Sequence, residues 1–419
     1  TETNRKVWLI AAMVFNFGML FVFKYLNFFI GIINGIAGTT VLKLVSLTLP
    51  LGISFYTFQA ASYVIDIYRR KYEIANGLLD FATYLCMFPQ LIAGPIVSFS
   101  EVKDDLHKQR KISLPKIEWG TTIFVLGLAY KVLLANKIAS LWNTVMTAGV
   151  MGIHPLTAWL GSWGFSMQLF FDFFGYSLMA IGLGRILGFK FPTNFKNPYC
   201  ATSSTDFWRR WHISLSSWLR DYIYIPLGGG RKGLAVRQRN ILLVFLISGL
   251  WHGGAPQFLA WGLLHGAGQV VQDFYKKAKQ AVFGEAKVGL EKLRHMLSVL
   301  LTFFTVMCFW IFFRSESVSM AVICLKNMFT RWNGFLYWRQ FLFTMGLEKT
   351  QFFIAVAGIA VLLGIDLISE KKKQEPAVWI YRMPLPVRWA ICLFLIGAVF
   401  VVGQYGKGFD PSGFIYVEF

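Results

Sequence analysis

Six histidines occur in the 419 residues, and His252 stands where an imidazole has chemistry to do. It follows the 11-residue apolar run Ile241–Trp251 and precedes Gly253, Gly254, Ala255 and Pro256, which interrupt the helix before a second apolar stretch runs to Val271. Eleven helical residues at about 1.5 Å each reach roughly half-way across a hydrocarbon core of about 30 Å. A break at that depth is tolerated only where protein or a water-filled cavity satisfies the freed backbone groups. An ionisable side chain there is a functional candidate by default, because imidazole suits proton transfer near neutral pH. The competing reading is a structural hydrogen bond between helices. His265 is open between a supporting partner of His252 and an ordinary interhelical bond. His107 and His295, in charged connectors, and His154, before Pro155, read as solvated.

A second chemistry-bearing segment is Asp206–Tyr224. At 100° per residue, Trp208, Trp211, Leu215, Trp218, Leu219 and Tyr222 gather on one face, with Arg209, Arg210, Ser217, Arg220 and Asp221 opposite. Aromatic rings on one side and guanidinia on the other describe a helix lying in the membrane interface. Ser204 or Thr205 is the expected cap, and Pro226 with Gly228–Gly230 the expected stop. His212 is expected at the edge of the apolar face, with a headgroup or carbonyl contact as the bland alternative to a site role. Among acidic groups, Asp172 lies in a phenylalanine-rich run and Asp66 in another apolar segment. A carboxylate in such surroundings requires a partner; for Asp172 an Arg or a His is expected, organising the site. Trp251, Asp172, Arg209, Arg210, Asn240 and Tyr222 are the candidate substrate-binding residues, His252 and His212 the candidate catalytic ones. The five cysteines are scattered without metal-ligand spacing and read as small buried hydrophobes, so no metal site is expected.

The elements that must position these groups are membrane helices. The chain is 56% apolar and only 15% charged, against about 25% charged in ordinary soluble domains. Runs near the ~20 residues of a bilayer span occur at Val7–Ile30, Leu42–Ile65, Trp119–Trp142, Pro155–Leu187, Leu297–Phe313, Phe352–Ile368 and Trp389–Val402. Leu78–Val97, broken by Pro89, Gly94 and Pro95, reads as re-entrant, and Ile241–Val271 as the interrupted segment around His252. The prediction is an all-α polytopic membrane protein, a single domain over residues 1–419 with about 9–11 transmembrane or re-entrant helices plus the interfacial amphipathic helix. Its 41 Lys+Arg against 21 Asp+Glu give a formal charge of +20. The basic residues sit in connectors such as Arg231–Arg239, Lys276–Arg294 and Glu370–Arg388. Loop basicity in a membrane protein explains this better than nucleic-acid binding, and membrane lipid is an expected partner. The connectors leave orientation open.

Several blocks together resemble one family: PLGISFYTFQ at Pro50–Gln59, FPQLIAGPI at Phe88–Ile96, FDFFGYSLMAIGLGRILGF at Phe171–Phe189, NFKNPY at Asn194–Tyr199, FWRRWHISLSSWLRDYIYIPLGG at Phe207–Gly229 and GLWHG at Gly249–Gly253. The sequence resembles the membrane-bound O-acyltransferases, in particular their bacterial polysaccharide branch with the alginate O-acetyltransferase membrane subunit. Matching blocks run from about Val7 to His265, and beyond Lys276 only the hydropathy is similar. The resemblance implies helices ringed around a thinned centre, with the GLWHG histidine, here His252, in the active site and His212 as the second characteristic histidine. It further implies a multi-pass protein of the bacterial cytoplasmic membrane, no bound cofactor, and acetyl-CoA or an acyl carrier as donor. A polysaccharide acceptor and an extracytoplasmic SGNH-hydrolase-like partner complete that picture. Family members usually carry further membrane segments ahead of Thr1, so N-terminal segments are expected to be missing. His252 would serve as general base or as acyl-accepting nucleophile, and Arg209 and Arg210 would hold donor phosphates or, equally, lipid headgroups. The alternatives are D-alanyl transfer to teichoic acid by a related family member, and a proton-coupled transporter with His252 as relay at a discontinuous helix.

Overall fold

The long apolar runs fold as helices because a backbone in lipid must satisfy its hydrogen bonds within its own segment. The computed structural model describes residues 2–92, 94–109, 113–147, 154–283, 291–330 and 349–405, and every regular element among them is helical. In chain order these are α1 (Glu2–Leu20), a wide π-turn (Phe21–Tyr25), α2 (Leu26–Ala37), α3 (Ile53–Tyr68), α4 (Leu78–Cys86), α5 (Phe88–Leu91), α6 (Phe99–Leu106) and α7 (Leu114–Ala129). A second π-turn (Tyr130–Ala135) leads into α8 (Asn136–Thr147), followed by α9 (Pro155–Ile186), α10 (Ser204–Arg210), α11 (Ile213–Leu219), a third π-turn (Arg220–Tyr224), α12 (Leu234–His252) and α13 (Pro256–Phe283). The last are α14 (Glu291–Arg314), α15 (Val318–Phe329), α16 (Lys349–Lys372), α17 (Pro376–Arg382) and α18 (Leu385–Val402). Part of the Lys276–Arg294 connector, residues 284–290, lies outside the described residues.

Six helices among the described residues are long and apolar enough to cross a membrane: Glu2–Ala37, Leu114–Val145, α9, α12, α14 and α18. The 32 residues of α9 extend about 48 Å at 1.5 Å each, and α7, α8, α14 and α15 pack along it. Its start fits its sequence, with His154 as N-cap accepting from the Leu156 amide at 3.2 Å and Pro155 in the first turn. Around α9 the larger of two aromatic-rich core clusters contains Phe171, Phe173, Trp211, Trp261 and Trp310. Trp8, Val14, Phe15 and Ile36 are exposed, as expected of a face turned to acyl chains.

Three segments differ from their sequence reading. Within Leu42–Ile65, the chain is helical only from Ile53. Ahead of it, Asn34 Oδ1 accepts from the Val41 and Leu42 amides, both at 2.9 Å, and Asn27 Oδ1 accepts from the Val45 amide at 2.9 Å. These side chains supply the backbone partners that a helix would have provided. Leu78–Val97 contains helices of 9 and 4 residues, too short for a span of about 20. The Asp206–Tyr224 segment is not one interfacial helix: it breaks at His212, and Trp208, Trp211 and Trp218 are buried in the protein core. Its aromatic face found protein instead of lipid. The cap is Ser203, whose hydroxyl accepts from the Asp206 amide at 3.2 Å, one residue before Ser204. Of the cysteines, Cys324 and Cys392 are buried, but Cys86 is exposed.

Candidate active site

α12 ends at His252, and the chain turns through Gly253 and Gly254 into α13. The helix starts at Leu234, seven residues before the apolar run, so it carries Arg237 and Arg239 within its first turns. Two glycines bring α12 and α13 into backbone contact: a Cβ on Gly249 would lie 2.4 Å from the Phe258 carbonyl oxygen, and one on Gly262 2.3 Å from that of Phe245. His252 is 3% exposed. The rings of Trp251, Trp261 and Phe313 surround it edge-on at centroid distances of 4.8, 5.0 and 5.0 Å. A solvated histidine is thereby excluded.

His212 also packs against Trp251. Its ring is 6.2 Å from the Trp251 ring and 4.7 Å from Phe173. It is 1% exposed, contrary to the half-wet helix edge expected of it. Its backbone is left-handed (φ 42°), a conformation that costs a non-glycine residue about 1–3 kcal/mol and is held only where the surroundings impose it. Asn194 supplies that constraint. Asn194 Oδ1 accepts from the Ser214 amide at 3.2 Å and from its hydroxyl at 2.7 Å, and lies 3.3 Å from His212 Nδ1. Since Oδ1 is an acceptor in all three, Nδ1 of His212 carries the proton and Nε2 is the basic nitrogen.

Arg209, Arg220 and Arg237 line a cavity of about 470 Å³ together with Trp208, Phe245 and Ser248. Ser248 precedes His252 by four residues, one helical turn, or about 6 Å along the axis. A second, more polar cavity of about 600 Å³ contains Asp66, Lys71, Glu101 and Tyr222. Ile213, Ser217 and Arg220 line both, so α11 is the partition between them.

The remaining candidates separate. Trp251 packs against both histidines, its indole N–H donating to the Ser54 carbonyl at 3.1 Å. Tyr222 lines the polar cavity and donates to Asp66 at 2.6 Å; burial and that hydrogen bond push its phenol up from the ordinary value. Asn240 is fully buried, with its amide donating to the Leu227 and Gly229 carbonyls at 3.2 and 2.9 Å. It ties the glycine-rich turn to α12 and has no surface left for substrate. Arg210 is held by Asp206 at 2.8 Å and Glu370 at 2.7 Å and faces a different cavity from Arg209. Asp172 pairs with Lys131 of the second π-turn, not with an Arg or a His. His265 accepts the Trp208 indole N–H at 3.1 Å, an interhelical bond.

Residues 75–287 match the model of the membrane-bound O-acyltransferase family. The chain is 37% identical over 376 residues, 88% of its length, to the probable alginate O-acetylase AlgI of Pseudomonas syringae. The chain belongs to the membrane-bound O-acyltransferase family. It is a multi-pass membrane protein. Another relative is the peptidoglycan O-acetyltransferase of Helicobacter pylori, 36% identical over 78% of this chain and 66% of that one. More distant is the teichoic acid D-alanyltransferase of Bacillus subtilis, 31% identical over 54% of this chain and 60% of that one. The chain spans about 57–69% of the length of the alginate O-acetylase relatives it matches.

One cluster in this family member escaped the sequence reading. Lys24, inside the first apolar run, reaches the Trp251 carbonyl at 2.6 Å and the Ser54 hydroxyl at 3.0 Å, and its ammonium lies 5.8 Å over the Trp251 ring. Lys24 is, like His252, an ionisable group inside an apolar run, but a lone lysine leaves the hydropathy of the run intact and no glycine break marks it.

Proposed function

We propose that this protein is an O-acyltransferase that moves an acyl group, acetyl first among candidates, from a thioester donor such as acetyl-CoA to hydroxyls of an extracytoplasmic polysaccharide. The observation that carries this reading is the placement of His252: a buried imidazole at a helix break, one turn beyond a cavity with three arginines. Guanidinium forks match phosphate oxygens, and the same cavity is lined by the Trp208 and Phe245 rings and by Ser248, surfaces that suit the arm of a thioester cofactor. Arg209 is the residue we place on the donor's phosphates. His252 takes the proton of the acceptor hydroxyl as its oxygen bonds to the thioester carbonyl carbon; the carbon–sulfur bond breaks and the thiolate receives that proton. His212, packed against Trp251, is the second group assigned to this proton path.

The names of the relatives support acetyl over D-alanyl transfer, since similarity to the O-acetyl-transferring proteins is higher and covers more of the chain. Family membership favours acyl transfer over transport. A cytoplasmic-membrane location and a hydrolase-like partner outside it belong to the same proposal. The test is His252→Ala and His252→Gln in purified, lipid-reconstituted protein supplied with acetyl-labelled acetyl-CoA and a polysaccharide acceptor. The expected loss is about 10²–10⁴-fold, the usual contribution of general acid–base catalysis. A wild-type rate in a folded His252 variant sinks the proposal. Running a D-alanyl carrier thioester beside acetyl-CoA decides the donor.

A further inference from the structure

The last turn of α12 presents a physical problem that the first π-turn solves. The final carbonyls of a helix have no intrahelical amide to accept from; here the Trp251 carbonyl is part-buried beside the imidazole assigned to the reaction, and that of Leu250 lies nearer the surface. Gly253 closes back on the Gly249 carbonyl at 3.2 Å. Beyond it, Tyr25 donates its hydroxyl to the Leu250 carbonyl at 2.5 Å and Lys24 donates to the Trp251 carbonyl at 2.6 Å. Two consecutive side chains thus hold the two consecutive carbonyls that precede His252. In a regular α-helix neighbouring side chains diverge by about 100°. The wider turn at Phe21–Tyr25, closed by the Leu26 amide on the Phe21 carbonyl, lets Lys24 and Tyr25 bear on the same target. Such π-bulges are rare and recur at functional sites.

Two further contacts seat this element on the break. Phe28, one turn further on, packs so closely that a Cβ on Gly254 would lie 2.8 Å from its ring. Lys24 also bonds Ser54, whose carbonyl accepts the Trp251 indole, so a single residue pair fixes both the backbone and the ring of Trp251.

We propose that Lys24 and Tyr25 are positioning residues that fix the α12 terminus and with it the direction of the His252 imidazole. The inference rests on the catalytic reading of His252. A general base is effective only within hydrogen-bond reach of the proton it takes, and displacement by about 1 Å costs on the order of 10²-fold in rate. The lysine acts through the backbone and is not itself placed on substrate, so its loss is expected in kcat and not in donor binding.

The test uses the full chain in lipid nanodiscs with labelled acetyl-CoA and a polysaccharide acceptor, comparing wild type, His252→Ala, Lys24→Met, Lys24→Arg and Tyr25→Phe. Lys24→Met is expected to lower kcat about 10–100-fold with the donor KM within twofold of wild type. Lys24→Arg, which keeps a donor for the carbonyl, is expected to recover at least part of that loss. Tyr25→Phe removes one hydroxyl from the periphery, retains the fold if Lys24→Met does not, and is expected to lower kcat several-fold. A kcat within twofold of wild type in both folded Lys24→Met and Tyr25→Phe overturns the inference, as does a loss appearing only as a raised donor KM. If His252→Ala is itself fully active, the catalytic reading fails instead, and the two failures are told apart.

Discussion

Arg209 and Arg210 are neighbours in sequence with different fates in the fold. Arg209 is exposed and lines the cavity that Ser248, one turn before His252, also lines; Arg210 is half-buried between Asp206 and Glu370. Arg209→Ala is therefore expected to raise the donor KM about 3–10-fold with little change in thermal stability, and to weaken the dependence of KM on salt. Arg210→Ala is expected to do the reverse, lowering the unfolding temperature while leaving the donor KM within twofold. Donor titrations at low and high salt, paired with thermal unfolding of each variant, check both; equal effects on KM would remove the distinction. A helical wheel puts both guanidinia on one polar face, since it cannot know that the helix ends at Arg210 and restarts beyond a left-handed His212. His252 was legible because glycine punctuation and an imidazole coincide at one point in the chain. Its companion Lys24 was not, because its role depends on a contact made across more than 220 residues of sequence; Trp251 was a candidate from its place beside His252, but not its bond to Ser54.

Among the elements, the pair α7 and α9 shows how far spacing can be read. Gly120 faces Gly182 and Gly127 faces Gly175: a Cβ on any of the four would lie 2.4–2.6 Å from the opposing glycine's carbonyl oxygen. The glycines are seven residues apart on each helix, two turns, so both contacts fall on the same seam. Close backbone approach through small residues is the usual way membrane helices gain packing energy without a hydrophobic driving force. The sequence places both spans, but which glycines meet depends on the partner helix. Gly175→Ala is expected to destabilise by about 1–3 kcal/mol, the usual cost of overpacking, since backbone and not a flexible side chain stands in the way. Gly364→Ala is the control, because nothing lies within 4 Å of its added methyl, and it is expected to be neutral or slightly stabilising. Thermal unfolding in one detergent compares them, and equal stabilities would argue against the seam. The plain spans Pro155–Leu187 and Trp389–Val402 were legible to within a few residues at each end, because each buries or exposes apolar surface over its whole length. The segments at 39–50 and 204–224 were not, because asparagine side chains and a strained histidine there replace the helix's own hydrogen bonds.

At the scale of the molecule, the C-terminal third is tied to the site by a charge. Residues 75–287 carry the family match, yet Glu370, at the end of α16, accepts from Arg210 at 2.7 Å and from Asn197 at 3.4 Å. Arg210 lies two residues before His212, so this ion pair links a helix outside the matched region to the segment that holds the second histidine. The hydrogen bond from Arg210 holds the Glu370 carboxyl below its ordinary value of 4.5, against the opposing effect of burial. A carboxyl depressed in the folded state stabilises fully above its unfolded value, and the contribution is lost as pH falls through the folded value. With its side chain 39% exposed, the glutamate is screened by solvent, and its contribution is held to about 1 kcal/mol or less. Glu370→Gln is expected to unfold at a slightly lower temperature than wild type at pH 7. The gap should narrow below about pH 4.5 and close as the wild-type carboxyl protonates. Raising the salt concentration at pH 7 is expected to shrink the same gap. A gap that stays constant from pH 7 to pH 3 would mean that Glu370 supports the site through shape and amide-compatible hydrogen bonding, and not through the charge that joins α16 to α10.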